Sequence, residues 1–388
     1  LVRITVAGVV AVITLFLCSC ATPPNGALSR AAAQTAYFRE IYCLNTLIEI
    51  TVYVDDSGQG GGQGGESALD AAEAVFMRVN GLMDRFDSGS DIYRVNNAPP
   101  GGEPVAVNEE TYYLLQLAIE YCSQSGGAFD IGMGAVSDLW GLGSLYGIDA
   151  VQDYAPPASE QIMQAIAAGG YDKIALIDQS DGSLAVEIPS GMAIDLGGIA
   201  KGYAVQAAAE ALMSEGVTSA VIDAGGNVHV IGSRDYESRA AGAGGARPWN
   251  VGIRSPRPTA AGDRQTGTQE QPPGAIELLA VVSVTDKSVV TSGDYHRYIE
   301  RDGVRYHHIL DPSTGMPATA SISVTIVADE STLADYLSTA VFVLGPQKGL
   351  ELVAQYPGAE ALIVAPDMSV TTSPGFEGEI ILTGGIQE

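Results

Sequence analysis

Two oxygen-bearing side chains one helical turn apart are the first sign of chemistry. In Leu333-Ala-Asp-Tyr-Leu-Ser-Thr-Ala340, Asp335 and Thr339 stand at i and i+4, so a helix sets carboxylate and hydroxyl on one face. Leu333, Leu337 and Leu344 mark a different, apolar face. Such a pair suits a hard, oxygen-loving cation such as Mg2+. The same spacing also fits a threonine that bonds back to the carbonyl four residues earlier. A second segment, Ala193-Ile-Asp-Leu-Gly-Gly-Ile-Ala-Lys-Gly202, runs from a strand through two glycines into a helix. Glycines there admit a ligand close to the backbone, and a helix N-terminus offers free N–H groups to an anion. Asp195 is a candidate acceptor for ribose or base. Lys201 sits at the end of a helix that disfavours a cation, which points to a phosphate or carboxylate partner.

Tyr306-His-His-Ile-Leu-Asp-Pro-Ser-Thr-Gly-Met-Pro317 adds a possible proton carrier, His308, beside a tight turn at Asp311-Pro312 and Thr314-Gly315. Thr291-Ser-Gly-Asp-Tyr295 and Asp223-Ala-Gly-Gly-Asn227 supply further glycine-flanked carboxylates, each equally readable as a turn. No Ser-His-Asp triad, phosphate-loop lysine or Cys/His zinc spacing is present. The glycines lack the strand–G-x-G-x-x-G–helix context of a dinucleotide fold.

The elements that must position these residues can be read from periodicity. Ile48, Ile50, Val52 and Val54 alternate along Thr46–Val54, as in a half-buried strand. A Gly/Gln loop is expected over 55–66. Ser67 and Asp70 then read as a capping box for a helix with the stripe Leu69, Ala72, Phe76, Val79 and Met83. Further helices are expected near 109–124, 159–168, 199–215 and 331–344, with loop-rich chain over 126–143. Strands are expected near 173–188, 192–195, 219–232, 249–254, 278–285, 296–300, 321–327, 361–371 and 379–382. Apart from the strand at 249–254, 233–275 reads as surface excursions. Strands and helices interleave without a strict βαβ rhythm, which gives an α+β class.

The 388 residues can bury a large core, and the formal charge is −27, with 46 acidic against 19 basic residues. That balance excludes nucleic acid as a partner. It also predicts that a metal supplies much of the positive charge for an anionic substrate. At the N-terminus, Ile4 to Leu17 is an apolar run of signal-peptide length, and Leu17-Cys18-Ser19-Cys20 fits a lipobox. We expect a signal over 1–20, a lipid on Cys20, a tether over 21–36 and the domain over 37–388, tied to the membrane of a bacterial envelope and facing the periplasm. Cys43 and Cys122 are too far apart in sequence to suggest a metal or redox motif.

Taken in order, GAFDIGMGAVSDLWG (127–141), DLGGIAKGYA (195–204), DAGGNVHVIG (223–232), SGDYHRY (292–298), HHILDPSTGMP (307–317) and ADYLSTA (334–340) resemble the ApbE family of FAD:protein FMN transferases. The resemblance spans Tyr42 to Leu382. It implies one large α+β domain, T-fold-related, with mixed and antiparallel sheets and packed helices. It further implies Mg2+, FAD as substrate, and an acceptor flavoprotein whose Thr or Ser takes FMN as AMP leaves. By position, the metal falls to Asp335, Thr339 and the carbonyl of Gly198. The FAD contacts fall to Leu44, Asn45, Phe86, Asp87, Ser88, Ala128, Phe129, Asp130, Asp195, Lys201, His308 and Ile309. His308 takes the acid/base role. Two departures stand out: Asn45 follows Leu44 where the family has Gly or Asp, and Phe86 replaces a frequent Tyr. The bulk of Asn45 leaves hydrolysis of FAD to FMN and AMP as an alternative to transfer. A flavin-binding lipoprotein without turnover is a third reading.

Overall fold

The computed structural model describes residues 34–55, 61–142, 154–234, 247–257 and 277–381. The expected signal with Cys20, the tether up to residue 33 and most of the 233–275 excursions lie outside them. Two strands, β1 (Gln34–Cys43) and β2 (Thr46–Asp55), open the fold as an antiparallel hairpin. β1 begins at Gln34, inside the span 21–36 expected as a tether, and it went unseen because its alternation is broken by Arg39 and Glu40. Leu44 and Asn45 form the two-residue turn, with φ of 49° and 57°. Both values are left-handed, as this hairpin geometry demands, and asparagine tolerates them where leucine does not.

Helix α1 spans Gly61–Met83, so it begins six residues before the expected cap. Ser67 lies inside it and its hydroxyl donates to Glu215 at 3.1 Å. Packing overrides the poor helix propensity of Gly here. A Cβ on Gly65 would fall 2.3 Å from the Tyr37 ring, so glycine is what lets β1 lie against the helix. Short α2 (Asp91–Asn96), β3 (Val105–Ala106) and α3 (Glu109–Gln124) follow. The expected loop at 126–143 contains α4 (Gly134–Trp140), whose Trp140 indole N–H donates to the Gly315 carbonyl at 2.7 Å. After α5 (Ser159–Ala168) come β4 (Ala175–Asp178) and β5 (Leu184–Glu187), and β5 pairs with both β3 and β4. The expected strand at 192–195 is only a single parallel bridge from Ala193 to Met133.

The remaining elements are α6 (Ala200–Ser214), β6 (Ala220–Ala224), β7 (Asn227–Ile231), β8 (Trp249–Arg254), β9 (Leu278–Val284) and β10 (Lys287–Gly293). Next come β11 (Tyr298–Arg301), β12 (Val304–His307), β13 (Leu310–Asp311), β14 (Met316–Pro317) and β15 (Ser323–Ala328). Helix α7 (Ser331–Val353) and β16 (Glu360–Val364), β17 (Val370–Thr372) and β18 (Gly378–Ile380) complete the described chain. Helix α7 breaks at Gly345 (φ 76°) before Pro346, so its first segment ends where the sequence places it.

Eight strands make the main sheet in the order β1-β2-β6-β7-β10-β15-β16-β17, every neighbouring pair antiparallel. Its inner face carries Ile48, Ile50, Val52, Val290, Val324 and Ile326 against α1, α6 and α7. Its outer face packs Val230, Val289 and Val327 against the β18-β9-β8 sheet, through Ile253, Ala280 and Val282. The architecture is thus one α+β domain, as expected. Among the described residues no helix is long and apolar enough to cross a membrane.

Helices α6 and α7 meet at Gly202, where a Cβ would stand 2.4 Å from the Ser331 carbonyl oxygen and 2.6 Å from Asp335 Cβ. Alanine gains about 1 kcal/mol of helix propensity, but the backbone oxygen cannot yield, and overpacking costs about 1–3 kcal/mol. Gly202→Ala should therefore lower the urea midpoint at constant slope. A midpoint equal to wild type would show that the close contact is dispensable.

Candidate active site

Because the two helices touch at glycine, the Asp335 carboxylate reaches the first turn of α6. It is 3% exposed, and Oδ2 accepts the Gly202 N–H at 2.9 Å. Oδ1 lies 3.5 Å from Lys201 Nζ, which also donates to the Gly197 carbonyl at 3.0 Å. Lys201 thus finds protein acceptors in place of the expected ligand anion alone. Thr339 Oγ1 bonds back to the Asp335 carbonyl at 3.4 Å, as does Ser338 Oγ at 2.8 Å. Thr339 nevertheless faces the glycine loop: a Cβ on Gly198 would be 3.2 Å from its hydroxyl and 3.0 Å from the Phe129 ring.

One carboxylate, one hydroxyl and the backbone of Gly198 are gathered here, all hard oxygen donors. That donor set fits Mg2+, which is commonly held by one or two carboxylates, with waters and substrate phosphates completing the shell. Among the described residues no three His, Cys, Asp or Glu side chains form a metal cluster.

The glycine loop is braced from α1. Asp195 Oδ1 accepts the Gly197 N–H at 2.9 Å, and Oδ2 accepts from Arg85 at 3.0 Å. The same guanidinium reaches Asp138 at 2.7 Å and the Gly134 carbonyl at 3.3 Å, and lies 5.2 Å from the centre of the Phe86 ring. Asp195 is therefore already committed on both oxygens, and its first job is to shape the loop. Arg85 escaped sequence reasoning; its only signal was its place just past the C-terminus of an apolar-striped helix. Phe86, Asp87 and Ser88 are exposed, and Asp87 caps the Gly89 N–H at 2.9 Å.

Phe129 is buried edge-on to Tyr336 (5.3 Å between centroids), with Ala128 half-buried before it. Asp130 accepts the Gly132 N–H at 2.7 Å; burial raises its pKa, and backbone N–H groups of Gly132 and Tyr171 oppose that. Asp87, Ser88 and Asp130 make local turns rather than joining the Asp335 cluster.

The adjacent histidines divide their roles. His307 Nε2 donates to the Ala318 carbonyl at 2.9 Å and Nδ1 accepts the Ile309 N–H at 3.3 Å, so it is structural. His308 Nδ1 is buried without a hydrogen-bond partner among the described residues. Burial pushes the His308 pKa well below the usual imidazole range, and the charges of Arg297 and Lys201 add to the effect. The imidazole is neutral and its ring nitrogen unused. Arg297 also donates to the Asn45 carbonyl at 2.8 Å, while Leu44 N–H donates to Asn80 at 2.7 Å. The hairpin turn is thereby pinned beside His308 and Ile309.

Asn45 occupies a left-handed position that Gly or Asp would also accept, so the departure at this site is first a backbone requirement. The acidity of the whole chain does not extend to this corner: the charges of Arg297 and Lys201 act on His308.

This arrangement has close counterparts. The ApbE family model matches residues 44–363. The FAD:protein FMN transferase of Treponema pallidum is 39% identical over 287 residues, covering 72% of each chain. That of Haemophilus influenzae is 30% identical over 309 residues, covering 79% of this chain and 81% of its own. Among solved structures, the ApbE protein of Thermotoga maritima superposes with a TM-score of 0.71 at 32% identity, covering 88% of this chain and 97% of its own. The flavin transferase ApbE of Vibrio cholerae gives 0.68 at 26%, covering 88% and 98%. With the motifs in order, the fold shared and the conserved-length match spanning most of the chain, this protein belongs to the ApbE family of FAD:protein FMN transferases.

Proposed function

We propose that the chain moves FMN from FAD to a Thr or Ser hydroxyl of a partner flavoprotein, releasing AMP, with Mg2+ as its metal. The domain over 37–388 would work at the bacterial envelope, lipid-anchored through Cys20 and facing the periplasm. The observation that carries this reading is the meeting of Asp335, Thr339 and Gly198, together with a buried His308 Nδ1 that has no hydrogen-bond partner among the described residues. Mg2+, held by those three, would neutralise phosphate charge as a Lewis acid. Lys201 and Arg297 would orient the pyrophosphate, Phe86 and Leu44 would contact the nucleotide, and Arg85 would hold Asp195 in place. His308 Nδ1 would take the proton of the attacking hydroxyl. The protein's share of such a transfer is mainly positioning and charge stabilisation.

Hydrolysis of FAD to FMN and AMP is the second reading, favoured by the Asn45 amide, whose Oδ1 lies 3.4 Å from the Tyr42 hydroxyl at the site's edge. Incubating the mature domain with FAD and Mg2+, with and without an acceptor, separates the two through AMP, free FMN and covalent flavin.

Asp335→Ala should lower turnover by more than the about 10–100-fold that losing a supporting partner costs a metal site. Its circular dichroism should stay native, since one unpaired Gly202 N–H costs only about 1–3 kcal/mol. Full activity of this variant would remove the metal assignment.

Because a lowered pKa keeps His308 neutral as pH falls, the acid limb of kcat/KM should lie well below pH 6.5. Activity should be lost only as pH drops through that depressed value. An inflection near 6.5 that persists in His308→Gln would assign the proton elsewhere.

For Asn45, the ratio of free to protein-bound FMN at matched FAD and Mg2+ is decisive. Asn45→Gly keeps the turn and should shift product toward covalent flavin; an unchanged ratio would relieve Asn45 of any role in the choice.

A further inference from the structure

We propose that Ser331 and Ser338 on α7, with Asn227 and Ser292 on the main sheet, set the rotation and register of α7 and so fix where Asp335 presents its carboxylate. They are positioning residues, and the proposal rests on the reading above that puts a metal at Asp335, Thr339 and Gly198. Asp335 stands one turn after Ser331 and one turn before Ser338. Both serines are fully buried, and Asn227 is 1% exposed. Ser331 Oγ donates to Asn227 Oδ1 at 2.8 Å, which ties the helix to β7. Ser338 Oγ lies 2.8 Å from Ser292 Oγ on β10 and 2.8 Å from the Asp335 carbonyl oxygen. A hydroxyl has one proton and a carbonyl can only accept, so Ser338 donates to Asp335 and receives from Ser292.

A third tie comes from α6. Ser331 opens α7, and the first N–H groups of a helix have no acceptor inside it. Glu330, just before it, makes no side-chain cap; Gln206 Oε1 accepts the Ser331 N–H instead, at 2.8 Å. Gln206 lies one turn after Gly202 on α6, as Asp335 lies one turn after Ser331 on α7. The contacts of Gln206 with Ser331 and of Gly202 with Asp335 are thus two rungs between the helices, and the second rung is the carboxylate itself.

Apolar contacts alone would not hold this register. Leu337, Ala340 and Val341 join the core that α7 shares with Val324 and Ile326, but such burial is non-directional and tolerates a small slide or turn. Hydrogen bonds weaken steeply off line, and both turns flanking Asp335 carry one to the sheet. Asn227 gives a second sign that position is what is kept here. Its Oδ1 is used by Ser331, while its Nδ2 is buried with no partner among the described residues. An unpaired buried amide N–H costs stability that an apolar side chain of the same shape would not. A misplacement of about 1 Å near a reacting centre can cost on the order of 100-fold in rate, so a carboxylate at a metal needs a fixed frame.

The test changes the sheet side of each tie, leaving α7 intact, in the full mature chain. Mg2+ is titrated into Asn227→Leu and Ser292→Ala by calorimetry, and AMP release from FAD is followed against Mg2+ concentration. The dissociation constant and the half-saturating Mg2+ should both rise by about 10–100-fold, while kcat at saturating Mg2+ returns toward wild type. Asn227→Leu should do so with an undiminished urea midpoint, because it also removes the unpaired amide. Ser292→Ala keeps the test valid if Asn227→Leu fails to fold. The control is Ser288→Ala, which removes a buried hydroxyl contact of the same kind, 2.8 Å from His229 Nδ1, between β10 and β7 away from α7. It should keep wild-type Mg2+ values. Unchanged Mg2+ values in both sheet variants would overturn the proposal and leave the metal reading standing. An equal loss in Ser288→Ala would also overturn it, by reducing the effect to general stability. A wild type indifferent to Mg2+ in both measurements would sink the metal reading and this proposal together.

Discussion

Everything at the site depends on one hydrogen bond between two helices: the Gly202 N–H given to Asp335. It forms only because α6 and α7 approach within glycine distance. That approach turns the start of α6 toward a buried carboxylate. The bond offsets part of the cost of burying a charge, and Lys201 offsets more. Thr339 one turn on, Gly198 on the loop and Phe129 wedged between them then have little freedom left. Chemistry and packing share the same few atoms here, so the site cannot be altered without touching the core.

How much of this was legible follows from what each residue reports locally. The Asp335–Thr339 pairing was legible because helical spacing alone puts the two on one face. β2 was legible because its alternation is unbroken, and α7's first segment because Gly345-Pro346 ends it. β1, β10 and α4 were not, since their burial is set by neighbours distant in sequence. The start of α1 was misplaced because Gly and Gln announce a loop, whereas the Tyr37 ring requires a glycine inside a helix. Arg85 and Arg297 carry no motif of their own. Their importance arises from partners 110 and 252 residues away, Asp195 and Asn45. His307 and His308, indistinguishable in sequence, separate only when Ala318 takes one of them.

Charge shows the same division between sum and place. A chain of formal charge −27 keeps its acids mainly at the surface, where solvent screens them. Lys201 and Arg297 act on the His308 imidazole, whose pKa burial lowers. An anion approaching there meets a local field opposite in sign to the global one. Net charge is thus informative about nucleic acid and silent about a pocket.

The left-handed turn at Leu44 and Asn45 has a mechanical meaning. Leucine resists that conformation, so the turn holds only while Asn80 grips it from one side and Arg297 from the other. It behaves as a sprung latch between α1 and the segment carrying the histidines. Any shift of either support is transmitted to the turn, and release of one lets the backbone relax away from the site. The hairpin tip is thereby joined to α1 through Asn80 and to the histidine segment through Arg297.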